Sequence, residues 1–180
     1  MIERRCVANW SGVGNIEAAL AQKFVEAEDF MDPAQCHYGQ ACQVDEQQKP
    51  IAVISIEPKA IPVIVIADEP LQMTVIATSS HGHIMIVKWV YGDSEEEFES
   101  FLDSDNIFKL EGWNTEFRTL LHSGTYLLLD SSEIGFDYDQ NNSIPIEIEG
   151  GEFEISSLTY SPNENTSMVV HRFTRQDNSE

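Results

Sequence analysis

Basic residues are scarce in this chain. Ten Lys and Arg stand against 31 Asp and Glu, giving a formal net charge of −21. A surface of that sign repels phosphate backbones and anionic headgroups, which argues against nucleic acid and membrane as partners. Cysteine is scarce as well. Cys6, Cys36 and Cys42 make an odd count at low density, which fits reduced thiols and a cytoplasmic location better than a disulfide framework. No apolar run reaches the eighteen or so residues of a membrane span. The longest candidate, Ile51–Ile66, is interrupted by Pro58, Lys59 and Pro62. The opening Met1-Ile-Glu-Arg-Arg-Cys carries charge without the apolar stretch of a secretory signal.

Catalytic signatures are also missing. There is no G-x-S-x-G elbow, phosphate-cradling glycine loop, H-E-x-x-H or dinucleotide fingerprint. Cys36-His37-x4-Cys42 has poor spacing for a closed zinc site, and no second ligand pair follows it. His81-Gly82-His83 reads as an exposed turn. Asp137-Tyr138-Asp139-Gln140-Asn141 has the D-x-D-x-N opening of a calcium loop. Asn142 stands where the sharp turn needs Gly, and Ile148 where a bidentate Glu belongs. The expectation is no cofactor and no enzyme. The alternative is a small acidic calcium-binding or enzymatic protein built around Asp137–Asn141.

What is present is a core-forming apolar fraction of 42% and a succession of short strands. Ile51–Ile56, Ile61–Ala67, Met73–Thr78 and Ile84–Tyr91 are rich in Ile and Val and separated by turn-forming pieces. Thr115–Leu121, Thr125–Asp130, Ile144–Glu149, Glu152–Tyr160 and Ser167–Phe173 continue the series. Two helices are predicted. Ile16–Ala27 is amphipathic, with Asn15 as N-cap after a Gly12-Val13-Gly14 turn. Glu95–Leu102 follows a Ser94/Glu97 capping box, with Phe98, Phe101 and Leu102 inward. Asp29–Pro50 reads as a long ordered polar loop with room for one helical turn. The fold expected is mainly β (α+β), an antiparallel sheet or β-sandwich with one N-terminal helix and one short helix near 95–102. A single domain is expected over 1–180: N-terminal helix and loop 1–50, β-rich body 51–173, polar tail 174–180.

The charge is concentrated. Between Asp93 and Glu154 lie seventeen acidic residues against Lys109 and Arg118, a local net of −15. Self-repulsion of that size opposes folding and contributes nothing to a core, so the surface reads as shaped for a basic partner. Ile144-Pro-Ile-Glu-Ile-Glu-Gly-Gly-Glu-Phe-Glu-Ile155 suggests a hairpin turning at Gly150-Gly151, with Glu149 facing Glu152 and Glu147 facing Glu154. The candidate contact surface is Glu95, Glu96, Glu97, Glu99, Asp137, Asp139, Glu147, Glu149, Glu152 and Glu154. Trp89 and Tyr138 are candidate aromatic anchors, with the core as the stronger reading for Trp89.

Several segments in order resemble the immunity protein 21 family of bacterial polymorphic toxin systems. They are Tyr38-Gly-Gln-Ala-Cys42-Gln-Val-Asp45, Val63-Ile-Val-Ile-Ala-Asp68-Glu69-Pro70 leading to Thr74, and Val87-Lys-Trp89-Val-Tyr91 before an acidic helix. Gly124-Thr-Tyr-Leu-Leu-Leu-Asp130-Ser follows, and then the closing stretch from Tyr160 to Phe173 with its Ser-Pro162-Asn-Glu-Asn-Thr166 turn. The resemblance implies a cytosolic, non-enzymatic protein that binds and neutralises one toxin domain. A toxin acting on nucleic acid, whether nuclease or deaminase, would offer the basic cleft that these carboxylates could fill.

Overall fold

The computed structural model describes residues 2–8, 11–15, 37–56, 61–67, 71–78, 83–102, 107–130 and 143–176. These are mostly strand, with two short helices and one 3-10 turn. In chain order they run β1 (Ile2–Ala8), β2 (Ser11–Asn15), α1 (His37–Glu46), β3 (Ile51–Ile56), β4 (Ile61–Ile66), β5 (Leu71–Thr78) and β6 (His83–Tyr91). Then come α2 (Glu95–Leu102), the 3-10 turn Ile107–Lys109, β7 (Asn114–Leu121), β8 (Gly124–Asp130), β9 (Ile144–Ile148), β10 (Gly151–Asn163) and β11 (Thr166–Arg175). The strands form a six-stranded sheet, β1-β5-β6-β11-β10-β7, and a five-stranded sheet, β3-β4-β2-β8-β9. The chain divides correspondingly into two compact units. One comprises Met1–Arg5, Leu71–Leu120 and Gly151–Glu180; the other comprises Cys6–Pro70 and Leu121–Gly150.

In the six-stranded sheet, β6 and β11 are buried on both faces. Met85, Val87 and Trp89 of β6 share one face with Met168 and Val170 of β11 and Ile76 of β5, and α2 covers them with Phe98 and Leu102. Ile107 of the 3-10 turn closes the same cluster, and Phe101, Phe108, Leu110, Trp113 and Tyr160 pack against its margin. The Trp113 indole is fixed on both sides. Its Nε1 donates to the Leu110 carbonyl at 2.6 Å, and the Arg172 guanidinium lies 4.0 Å over its ring.

The five-stranded sheet follows the same alternation. Ile144, Ile146 and Ile148 of β9 are buried while Pro145 and Glu147 are exposed. Tyr126 of β8 is 1% exposed, and its hydroxyl accepts from the His122 backbone N–H at 3.1 Å; burial raises its pKa. α1 packs through Ala41 and Val44 against Val65 and Ala67, with Ala52 and Ile54 alongside.

Four expectations need correction. Gly12-Val13-Gly14 is no turn: Ser11–Asn15 is a strand hydrogen-bonded to β4 on one side and β8 on the other. Pairing on both flanks supplies what its glycine-rich sequence does not. β1 is a further strand that the sequence reading did not anticipate. The polar stretch 29–50 contains a helix, α1, with Ala41, Cys42 and Val44 buried. The C-terminal strand runs on through Thr174 and Arg175, and Gln176 N–H still donates to Glu152 O at 2.8 Å. The predicted helix Ile16–Ala27 lies outside the described residues.

Candidate functional site

The densest block of acid among the described residues sits on α2. Its capping box forms as read from the sequence, with Glu97 N–H donating to Ser94 Oγ at 3.2 Å. The Glu97 carboxylate does more than close that box: its Oε1 accepts from Asn163 Nδ2 at 2.7 Å. That bond, the largest of several, holds the Glu97 pKa below its ordinary value. Asn163 is itself set by its Oδ1, which accepts from Asn165 N–H at 2.8 Å in the tight β10–β11 connection. The helix start is thereby fastened to the turn that carries Glu164, which is exposed. Glu95 and Glu96 are exposed, Glu97 and Glu99 half-buried, and the helix has no basic residue in its last turn.

Tyr91 adds an aromatic to this end of the unit. It is 53% exposed and stands three residues before Ser94. Simple alternation places it inward with Val87 and Trp89. The register of β11 against β6 shifts at Ser167/Met168, opposite this strand end, and Tyr91 is left outside. Trp89, named from sequence as a candidate anchor, is instead 7% exposed and stacked on Phe98, ring centroids 4.3 Å apart and 12° from parallel. Its ring belongs to the core, the stronger of the two readings that the sequence offered for it. Tyr91, Asn163 and Glu164 were missed because nothing local in the sequence announces a strand-end bulge or a helix-to-turn bond.

Gly92 links these parts. A Cβ there would overlap the Phe98 ring, so β6 can turn into α2 at this spacing only with a glycine. Gly92→Ala is expected to lower stability by about 1–3 kcal/mol, the range of overpacked cores, read as a lowered urea midpoint at unchanged slope.

The acidic hairpin does not form. β9 pairs with β8 in the five-stranded sheet, whereas β10 pairs with β11 and lies beside β7 in the six-stranded sheet. Glu147 and Glu149 are therefore not cross-strand neighbours of Glu154 and Glu152. Glu147 is exposed and accepts from Thr125 Oγ1 at 2.7 Å, its cross-strand partner on β8. Glu154 is paired, its Oε2 taking Nη2 of Arg118 at 2.8 Å and Nε at 3.1 Å. The pair raises the Arg118 pKa; both groups lie near the surface, where such a bridge adds little stability. Glu149 and Glu152 are exposed. Gly150 N–H donates to Ser123 Oγ at 2.8 Å, so the diglycine carries the chain from one sheet to the other. Asp137, Tyr138 and Asp139 lie outside the described residues, as does the Asp137–Asn141 loop.

One polar group could be mistaken for catalytic machinery. On the face of the six-stranded sheet away from α2, Ser157 Oγ lies 2.9 Å from His171 Nδ1. Lys88 is close enough to act on the imidazole electrostatically. Ser157, His171 and Lys88 are 5%, 1% and 2% exposed. Burial first, and the Lys88 charge second, push the His171 pKa down to about 3, which keeps the ring neutral. The three offer no surface to a substrate. Among the described residues, no group of three or more His, Cys, Asp or Glu could hold a metal ion, and no helix is long and apolar enough to cross a membrane.

A family model described as Immunity protein 21 matches residues 1–166. No curated protein and no solved structure matches the chain.

Proposed function

This chain belongs to the immunity protein 21 family, so its role is immunity against a toxin, and we propose that it neutralises that toxin by occupying a basic surface with its own carboxylates. The supporting observation is the α2 block: four glutamates on one short helix, docked by Phe98 and fastened through Glu97 to Asn163. Carboxylates held on a rigid element present a fixed field and lose little freedom on binding. Glu152 and Glu154 on the same unit, Glu147 and Glu149 on the other, and by sequence Asp137 and Asp139, carry the same sign. Tyr91 is the exposed aromatic best placed to supply an apolar contact beside it.

Charge supports a toxin that acts on nucleic acid. A domain that acts on nucleic acid, nuclease or deaminase, carries cationic side chains around its cleft. Carboxylates compete with phosphate for those groups and accelerate encounter over long range. Inhibition by occupation calls for no catalytic residue, cofactor or metal on this chain.

The test is E95Q/E96Q/E99Q, which spares Glu97 and its bond to Asn163. Stopped-flow association with the purified toxin domain is expected to slow by about tenfold or more at low salt, and its salt dependence should flatten. An unchanged association rate would show that the acid serves solubility alone.

A further inference from the structure

We propose that β7 is a self-complementary edge through which two copies of this chain pair. The inference is independent of the toxin reading. Sheet edges present unpaired N–H and C=O groups, and soluble proteins ordinarily blunt them with short strands, proline or unpaired charge. β9, an edge of the five-stranded sheet, is blunted in this way: it has five residues, Pro145 lacks an N–H, and Glu147 is exposed. β7 carries only the mildest of these devices, a single unpaired charge at Glu116. It is an edge of the six-stranded sheet, eight residues long, without Pro, Gly or Lys. Its one cation, Arg118, is already neutralised by Glu154. Leu120 on this strand is 59% exposed, the most exposed large apolar residue among those described.

The sequence of β7, Asn114-Thr-Glu116-Phe117-Arg118-Thr-Leu120-Leu121, identifies the occupant. Residues that face each other in an antiparallel ladder both direct their N–H and C=O across the pair or both direct them away. A dyad-related self-pairing must therefore centre on a residue. Centring on Glu116 or on Arg118 would set like charges against each other on the axis, which is unfavourable. Centring on Phe117 sets Glu116 of each copy opposite Arg118 of the other, twice over, and Thr115 opposite Thr119. Arg118 uses Nε and Nη2 on Glu154, which leaves Nη1 for the incoming Glu116. Among the described residues, Glu116 has no side-chain hydrogen bond or ion pair of its own to break. The result is one continuous sheet of twelve strands, two sets of six.

Edge pairing over one strand buries little area compared with a standard interface, and two chains of −21 repel. The dimer is accordingly weak, concentration-dependent and strengthened as moderate salt screens the net charge. Sedimentation equilibrium on the full chain tests this with wild type, E116R, R118E and an equal mixture of the two variants. Wild type is expected to dimerise reversibly. E116R, which puts like charge opposite Arg118, should weaken the dimer at least tenfold, and mixing it with R118E should restore pairing. Hydrogen exchange gives a second readout that needs only E116R: amides of residues 114–121 should gain protection with concentration in wild type and not in the variant. Wild type that stays monomeric at every concentration and salt overturns the proposal. So does E116R dimerising as well as wild type, or a mixture that pairs no better than either variant alone. E116R that weakens toxin binding while leaving self-association intact would assign the edge to the toxin, and would overturn it equally.

Discussion

Phe98→Ala is expected to remove about 3–5 kcal/mol of stability, the range for truncating a buried aromatic. The side chain is 4% exposed and stacked on Trp89, and with Leu102 it holds α2 against β6 and β11. Truncation leaves a void beside Gly92, which has no Cβ with which to fill it. A stability of about 5–15 kcal/mol is usual for a domain, so this one change would bring the six-stranded unit near its limit. Urea unfolding followed by tryptophan fluorescence reads the loss directly, since Trp89 is the stacking partner. Phe98→Leu should lose distinctly less. The same variant bears on function. With α2 loosened, its glutamates no longer present a fixed array, and F98A protein that remains folded should bind the toxin more weakly than wild type although it keeps every glutamate. Equal stability of F98A and wild type would mean that α2 does not dock as described.

The second large effect is acid sensitivity centred on His171. In the unfolded chain this imidazole takes up its proton near its ordinary pKa of about 6.5; in the fold it does not do so until about 3. Between those values the unfolded state binds the extra proton, so stability falls as acid is added, and above that window the contribution is complete. Each pH unit inside it corresponds to about 1.4 kcal/mol, so moving from about pH 7.5 to about pH 5 should remove about 2 kcal/mol. Other groups that titrate over that range do so in both proteins, so comparison with a His171 variant isolates the histidine. His171→Gln keeps a polar partner for Ser157 Oγ and abolishes the titration. Chemical unfolding at both pH values should show the wild type losing most of this increment and H171Q little of it. Equal losses would place the acid-labile group elsewhere.

Much of the architecture was legible from residue order. β3 through β6 and β7 through β11 follow runs of Ile, Val and aromatic residues, and α2 starts at the Ser94 cap read from the sequence. What escaped was decided by partners distant in sequence. Ser11-Gly-Val-Gly-Asn15 has little intrinsic strand preference, and only its two neighbours hold it extended. Gly150-Gly151 has the composition of a hairpin turn, but Ile144, Ile146 and Ile148 find their cover alongside β8, and the chain crosses to another sheet. A dipeptide cannot distinguish turning back from moving on. The candidate site was half visible. Four glutamates on α2 are plain from composition, whereas the Glu97–Asn163 bond spans 66 positions and the outward set of Tyr91 arises from a register shift. Trp89 illustrates the reverse, a large aromatic whose place in a strand does not say which face will be roofed.

The position of β11 has a consequence for biogenesis. It lies between β6 and β10, yet it follows both of them in the chain. Until Thr166–Arg175 emerges, β6 lacks a neighbour on one side, and no order of earlier pairing can complete the sheet. Contacts between elements so far apart in the chain also slow folding. Protection would therefore begin only once β11 has been made, and a nascent chain stalled short of residue 166 would confer none.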